Sequence, residues 1–237
     1  MSDSVVARIS IFGLIVLAPG ARPGWPPPDE SLPPPVVVAP KSPSVDSSRC
    51  DTMGTDHNAF YKRGVSLIDP YIIMQDRAPA ESDRRTRDLL DGVACLDRAL
   101  ELAPTNWAAF WLRGKAYQAL GDHARSADSF RWAYRIQPRN PDVGRELALE
   151  QMELGEFQDA LSVGEKLVLA FPNDAGLKAN LALSLLLAGQ VQRARDTIDD
   201  AIRLDPNDAV SRELKRRIEE VANGLRRQPH SLKEFQQ

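Results

Sequence analysis

Along most of the chain, apolar residues recur three and four positions apart, the spacing that puts them on one face of a helix. Leu147, Gln151 and Leu154 follow this pattern, as do Leu181, Leu185 and Ala188. A second kind of run carries Phe157, Ala160, Leu161, Gly164, Leu167 and Val168. Between the two kinds of run stands a glycine, which can take the left-handed backbone that ends a helix. After the second run comes a proline, which cannot continue one. An Asn or Asp follows the proline and is suited to capping the next helix. The pattern predicts helix pairs and no strand.

The punctuation is periodic. Pro104, Pro138, Pro172 and Pro206 each lie 34 residues after the last, and so do Gly121, Gly155 and Gly189. Small residues fill two further columns, Gly114, Ala148, Ala182 and Ser126, Ala160, Ala194. Helices that cross at short range need small residues where their backbones meet. Residues 107–140, 141–174 and 175–208 are therefore three gapless copies of one unit. Upstream, residues 51–106 read as a degenerate copy, because AFYKRG at 59–64 matches AFWLRG at 109–114. Gly64 and Gly92 are 28 residues apart where the matching columns elsewhere are 12 apart, so an insertion is expected around residues 69–87. Downstream, Val210, Leu214, Ile218, Val221 and Leu225 form one apolar stripe. This predicts a capping helix over 209–225, followed by a flexible tail over 226–237.

The 34-residue helix–turn–helix unit resembles the tetratricopeptide repeat family. Gly114, Tyr117, Gly121, Phe130, Ala133 and Pro138 carry the likeness in the first full copy, and Leu181, Ala182, Gly189, Ala194, Ala201, Leu204 and Pro206 in the third. Arg113 and Gly164 depart from it, standing where the family prefers Leu and an aromatic. The resemblance implies an all-α, short right-handed solenoid. Its first helices would line a concave face that binds proteins. On that face it places Tyr61, Trp111, Lys115, Arg145, Leu149, Met152, Asn180, Leu183 and Leu187. The expected ligand is a peptide segment or a partner helix, with Tyr61 and Trp111 as aromatic anchors. The alternative for Trp111 and the leucines is a place in the core. The columns that form a carboxylate clamp in one subfamily hold Trp111, Lys115, Glu146, Gly176 and Asn180, and Glu146 would repel a carboxylate. The helix around 179–188 is apolar nearly all round, so something should cover it: a partner, the insertion with Tyr71, Ile72, Ile73 and Met74, or the tail.

Composition changes the picture at the N-terminus. Of 18 prolines in 237 residues, ten fall between Pro19 and Pro43. Residues 22–50 thus read as a Pro-rich disordered linker that builds no core. Residues 1–21 hold a short apolar run resembling a secretory signal or membrane tether. Export to the periplasm or cell envelope is the expectation, with a cytoplasmic extension as the alternative. Cys50 and Cys95 could pair if the chain is exported, or remain two thiols.

The net charge of −3 does not fit a general nucleic-acid binder. His57, His123 and His230 lack metal-ligand spacing, and His123 reads as a surface or capping residue. No catalytic triad, phosphate loop or cofactor motif is present. The expectation is no enzyme, no cofactor and no metal. The function that follows is an interaction adaptor. The alternatives are a self-associating scaffold, or a regulatory or targeting subunit of an enzyme encoded elsewhere.

Overall fold

The computed structural model describes Cys50 and residues 56–72, 79–80 and 82–235, and among these there is no strand. Ten α-helices follow in order: α1 His57–Ile68, α2 Arg85–Leu102, α3 Trp107–Ala119, α4 His123–Ile136, α5 Pro141–Glu153, α6 Phe157–Ala170, α7 Ala175–Leu187, α8 Val191–Leu204, α9 Ala209–Ala222 and α10 Leu232–Phe235. A 3-10 turn, Asp69–Tyr71, follows α1 directly. The Pro-rich linker to residue 49 and the signal-like segment lie outside the described residues, as do Ile73 and Met74.

The sequence period reappears as a period of caps. Asn106, Asn140, Asp174 and Asp208 stand 34 residues apart. Each side-chain oxygen accepts the backbone N–H three residues on, from Ala109, Val143, Leu177 and Ser211, at 3.0–3.1 Å. Four helices thus begin with one otherwise orphaned donor satisfied. Gly121, Gly155 and Gly189 take φ of 75°, 75° and 77°, the left-handed conformation that turns the first helix of each pair into the second.

The helices divide into two compact units, one ending at Glu150 and the other starting at Gln151, both within α5. In the first, α1 packs on α2, α2 on α3 and α3 on α4. Its core gathers Leu89, Val93, Leu96, Phe110, Leu112 and Tyr117, with Phe110 stacked on Trp132. Gly114 is needed here, because a Cβ would come within 2.6 Å of the Phe130 ring. Arg113 enters this core as an ion: its Nη1 donates to Asp97 at 2.7 Å and its Nε to Ser129 at 3.1 Å, with Phe110 beneath the guanidinium. Cys50 and Cys95 form a disulfide, Cα atoms 5.4 Å apart, which ties residue 50 to α2. Phe60, Leu67 and Ala99 close around it.

Of the insertion residues expected as a cover for the helix around 179–188, only Tyr71 and Ile72 lie among the described residues. Tyr71 and Ile72 belong to the first unit's own core, and Tyr71 donates to Asp88 at 2.9 Å. Two large apolar side chains next to a buried helix gain more from that core than from any surface.

In the second unit, α7 packs on α6, α8 and α9. Leu161, Leu167, Leu181, Leu185, Ile198, Leu214 and Ile218 are buried. Leu181 fills the space an aromatic would take at Gly164, lying 3.2 Å from where a Cβ would be. The capping helix ends earlier than the apolar stripe suggests. Gly224, at φ 71°, reverses the chain, and Leu225 is 80% exposed. Over its described residues, 226–235, the tail is folded rather than flexible. It forms α10, with Leu232 and Phe235 buried, because two apolar residues three apart supply an anchor that composition alone conceals.

Candidate functional site

The residues that the resemblance places on a concave face stand on the first helices of the repeats, and they are divided between the two units. In the first unit, Tyr61, Trp111 and Arg145 occupy the same column of successive copies. Tyr61 is half-buried, and burial pushes its phenol pKa upward. Trp111 is half-buried against the core, and its indole N–H finds no acceptor among the described residues. Arg145 is buried. Its Nη1 donates to Asp142 at 2.9 Å while its Nε has no acceptor among them either. Buried donors without partners are uncommon in folded proteins, since each costs about 1–3 kcal/mol.

One turn along, a polar network occupies the face. Lys115 Nζ donates to Glu146 at 2.9 Å and to Gln118 at 2.6 Å. The Gln118 amide donates to Glu146 at 3.0 Å and to Glu150 at 2.8 Å. His123 Nδ1 lies 2.8 Å from Glu150. Lys115 is only 3% exposed, so this is a buried ion pair rather than a free cation. Burial raises the Glu150 pKa, against the bonds from His123 and Gln118 that lower it. Leu149 is buried on the same helix.

His123 is thus more than a surface or capping residue. It starts α4 beside the Asp122 cap and also reaches a buried carboxylate. The sequence carries no signal for this contact, because the partners lie 27 residues apart and in different columns.

In the second unit, Met152, Leu183 and Leu187 are buried, and Ser184 Oγ contacts Met152 Sδ at 3.2 Å. Asn180 is half-buried, with its amide nitrogen lacking an acceptor. The tail touches this helix, where Gln228 donates to the Leu186 carbonyl. Arg217, 34 residues after Leu183, donates to the Phe235 carbonyl and stands over its ring, 4.9 Å from the centroid. Extending the column rule one more copy would have placed Arg217 on this face.

Among the described residues, no group of three or more His, Cys, Asp or Glu could hold a metal ion. Nor is any helix among them long and apolar enough to cross a membrane.

Comparison with known proteins matches residues 80–141 and residues 151–218 to family models described as tetratricopeptide repeat, together more than half of the chain. The transcription factor tau 131 kDa subunit of Saccharomyces cerevisiae is 23% identical over 121 residues, 51% of this chain and 11% of that protein. Anaphase-promoting complex subunit 3 of Schizosaccharomyces pombe is 24% identical over 132 residues, 56% of this chain and 20% of that protein. The chain thus spans a fifth or less of these relatives' length. Among solved structures, YrrB, described as a TPR protein with an unusual peptide-binding site, superposes with a TM-score of 0.58 at 17% identity. That superposition covers 80% of this chain and 88% of YrrB.

Proposed function

The chain belongs to the tetratricopeptide repeat family, and from that premise we propose that it is a non-enzymatic adaptor. Its first unit holds a peptide segment or partner helix against Tyr61, Trp111 and Arg145. The observation that carries this reading is a pair of buried donors without acceptors among the described residues, Trp111 Nε1 and Arg145 Nε, at one column of adjacent repeats. A peptide backbone or side-chain oxygen that displaces the groups covering that column satisfies both, while the aromatic faces of Tyr61 and Trp111 supply the apolar contact. The peptide-binding site of YrrB, a protein of the same fold, supports the same class of ligand.

Lys115 serves a different purpose in this proposal. Its pairing with Glu146 removes it as a free cation, so the ligand is held by an internal segment rather than by a terminal carboxylate. The Cys50–Cys95 disulfide supports an oxidising compartment, in line with export.

The test is selection of binders to the full chain from a random-peptide library, followed by titration against variants. Trp111→Ala is expected to weaken a selected peptide by about 2 kcal/mol with the helical circular dichroism unchanged. Unfolding of that variant, or unaltered affinity in both Trp111→Ala and Arg145→Ala, contradicts the reading.

A further inference from the structure

The C-terminal segment is built like a bound ligand. Helix α9 ends at Ala222, and the left-handed backbone of Gly224 then sends the chain back. Residues 222–225 are exposed, so the connection is a strap on the surface. Beyond it the segment orders itself. Ser231 Oγ accepts the Glu234 N–H at 3.1 Å, and the Glu234 carboxylate accepts the His230 N–H at 2.8 Å. These bonds hold a single helical turn whose two sides differ sharply. Leu232 and Phe235 are each 2% exposed, while His230, Lys233 and Glu234 face solvent.

The segment is tied to α7 and to α9. Arg217 occupies the column of Leu183, and Leu186 lies one turn further along α7. Gln228 holds the Leu186 carbonyl at one end of the segment, and Arg217 holds the Phe235 carbonyl and ring at the other. Arg217 is itself fixed by Glu213, whose carboxyl is pulled down to about 2 by the hydrogen bond from Arg216 and, against the effect of burial, by Arg217. At one end the tail's own Gln228 donates to a carbonyl of α7, and at the other Arg217 meets a tail carbonyl and an aromatic ring. Further selection comes from the two apolar side chains three residues apart.

We propose that this face is a second peptide site, with the chain's own tail as its resident ligand. The site takes a short amphipathic turn with an aliphatic side chain and an aromatic three residues later, and a partner bearing that motif must displace residues 228–235. This rests on the adaptor reading of the molecule but uses a different face, so the two fail separately: one through Trp111 and Arg145, the other through the tail.

The test uses the full chain and a fluorescein-labelled synthetic peptide spanning residues 226–237, read by anisotropy. Three proteins are compared: the native chain, Leu232→Ala/Phe235→Ala, and the same double variant with Arg217→Ala. The vacated double variant is expected to bind the peptide at least tenfold more tightly than the native chain, and Arg217→Ala to remove at least tenfold of that affinity. Equal affinity for the native chain and the double variant, or no binding to the double variant, overturns the proposal. So does lost helicity in the double variant, which would make Leu232 and Phe235 ordinary core. Native dimers that the double variant abolishes would assign the tail to a second copy and overturn it as well.

Discussion

Arg113 stands where Leu is the family's preference, and Asp97 and Ser129 make that substitution workable. Both partners meet the guanidinium inside the first unit, so the ion is desolvated but paired. Arg113→Leu alone should cost about 3 kcal/mol in urea unfolding, because it removes one side of a poorly solvated ion pair. Arg113→Leu/Asp97→Leu should recover most of that loss. A double variant no better than the single one would show that the pair is not the cause. Glu150 gives a pH test. Its pKa is raised by burial, so its charged form burdens the fold at high pH, and the burden lifts as the carboxyl protonates in acid. Glu150→Gln should therefore raise the melting temperature at pH 8, with the gain shrinking as pH falls towards the ordinary carboxylate range. A variant less stable than the native chain at pH 8 contradicts this. The repeat columns made it legible that Trp111, Lys115 and Arg145 stand on first helices. They could not show that Lys115 is spent on Glu146, or that His123 reaches Glu150. Those pairings join residues about 30 positions apart, and they depend on side-chain direction rather than on period.

Elements were the most legible scale, because each one is marked chemically at both ends. Asn or Asp opens a first helix, a left-handed glycine closes it, and a proline follows the second. The caps test this directly: Asp174→Ala should cost about 1 kcal/mol, measured by chemical denaturation, and Asp174→Asn should restore nearly all of it. Equal losses in both would assign the role of Asp174 to its charge rather than to capping. The tail escaped this kind of reading for a physical reason. A four-residue helix is too short to show a period, and its two apolar residues sit among Gln, His, Ser, Lys and Glu. Its signal was the Ser231–Glu234 spacing, a capping pattern without the apolar run that normally follows it. The end of α9 was misplaced for a related reason. Leu225 fits the apolar stripe, but Gly224 stops the helix first, since a left-handed residue breaks the backbone whatever face comes next.

For the molecule as a whole, the disulfide confines its effect to one of the two units. It closes a loop between residues 45 apart in sequence, which in the chain-entropy model contributes about 4 kcal/mol. Reduction should accelerate amide exchange in α1 and α2 while leaving α7 to α9 protected. Uniform loss of protection would mean that the chain unfolds as a single cooperative body. The central claim, that the column of Tyr61, Trp111 and Arg145 is a peptide site, rests on donors that have no acceptor among the described residues. The chain has four Trp, so the indole N–H resonances are few enough to assign by substitution. The most direct test is a 15N correlation spectrum of the full chain titrated with a selected peptide. The Trp111 indole N–H is predicted to shift downfield as it gains a hydrogen bond, with the Trp107 and Trp132 signals little changed. A peptide that binds while the Trp111 resonance stays in place would contradict the account.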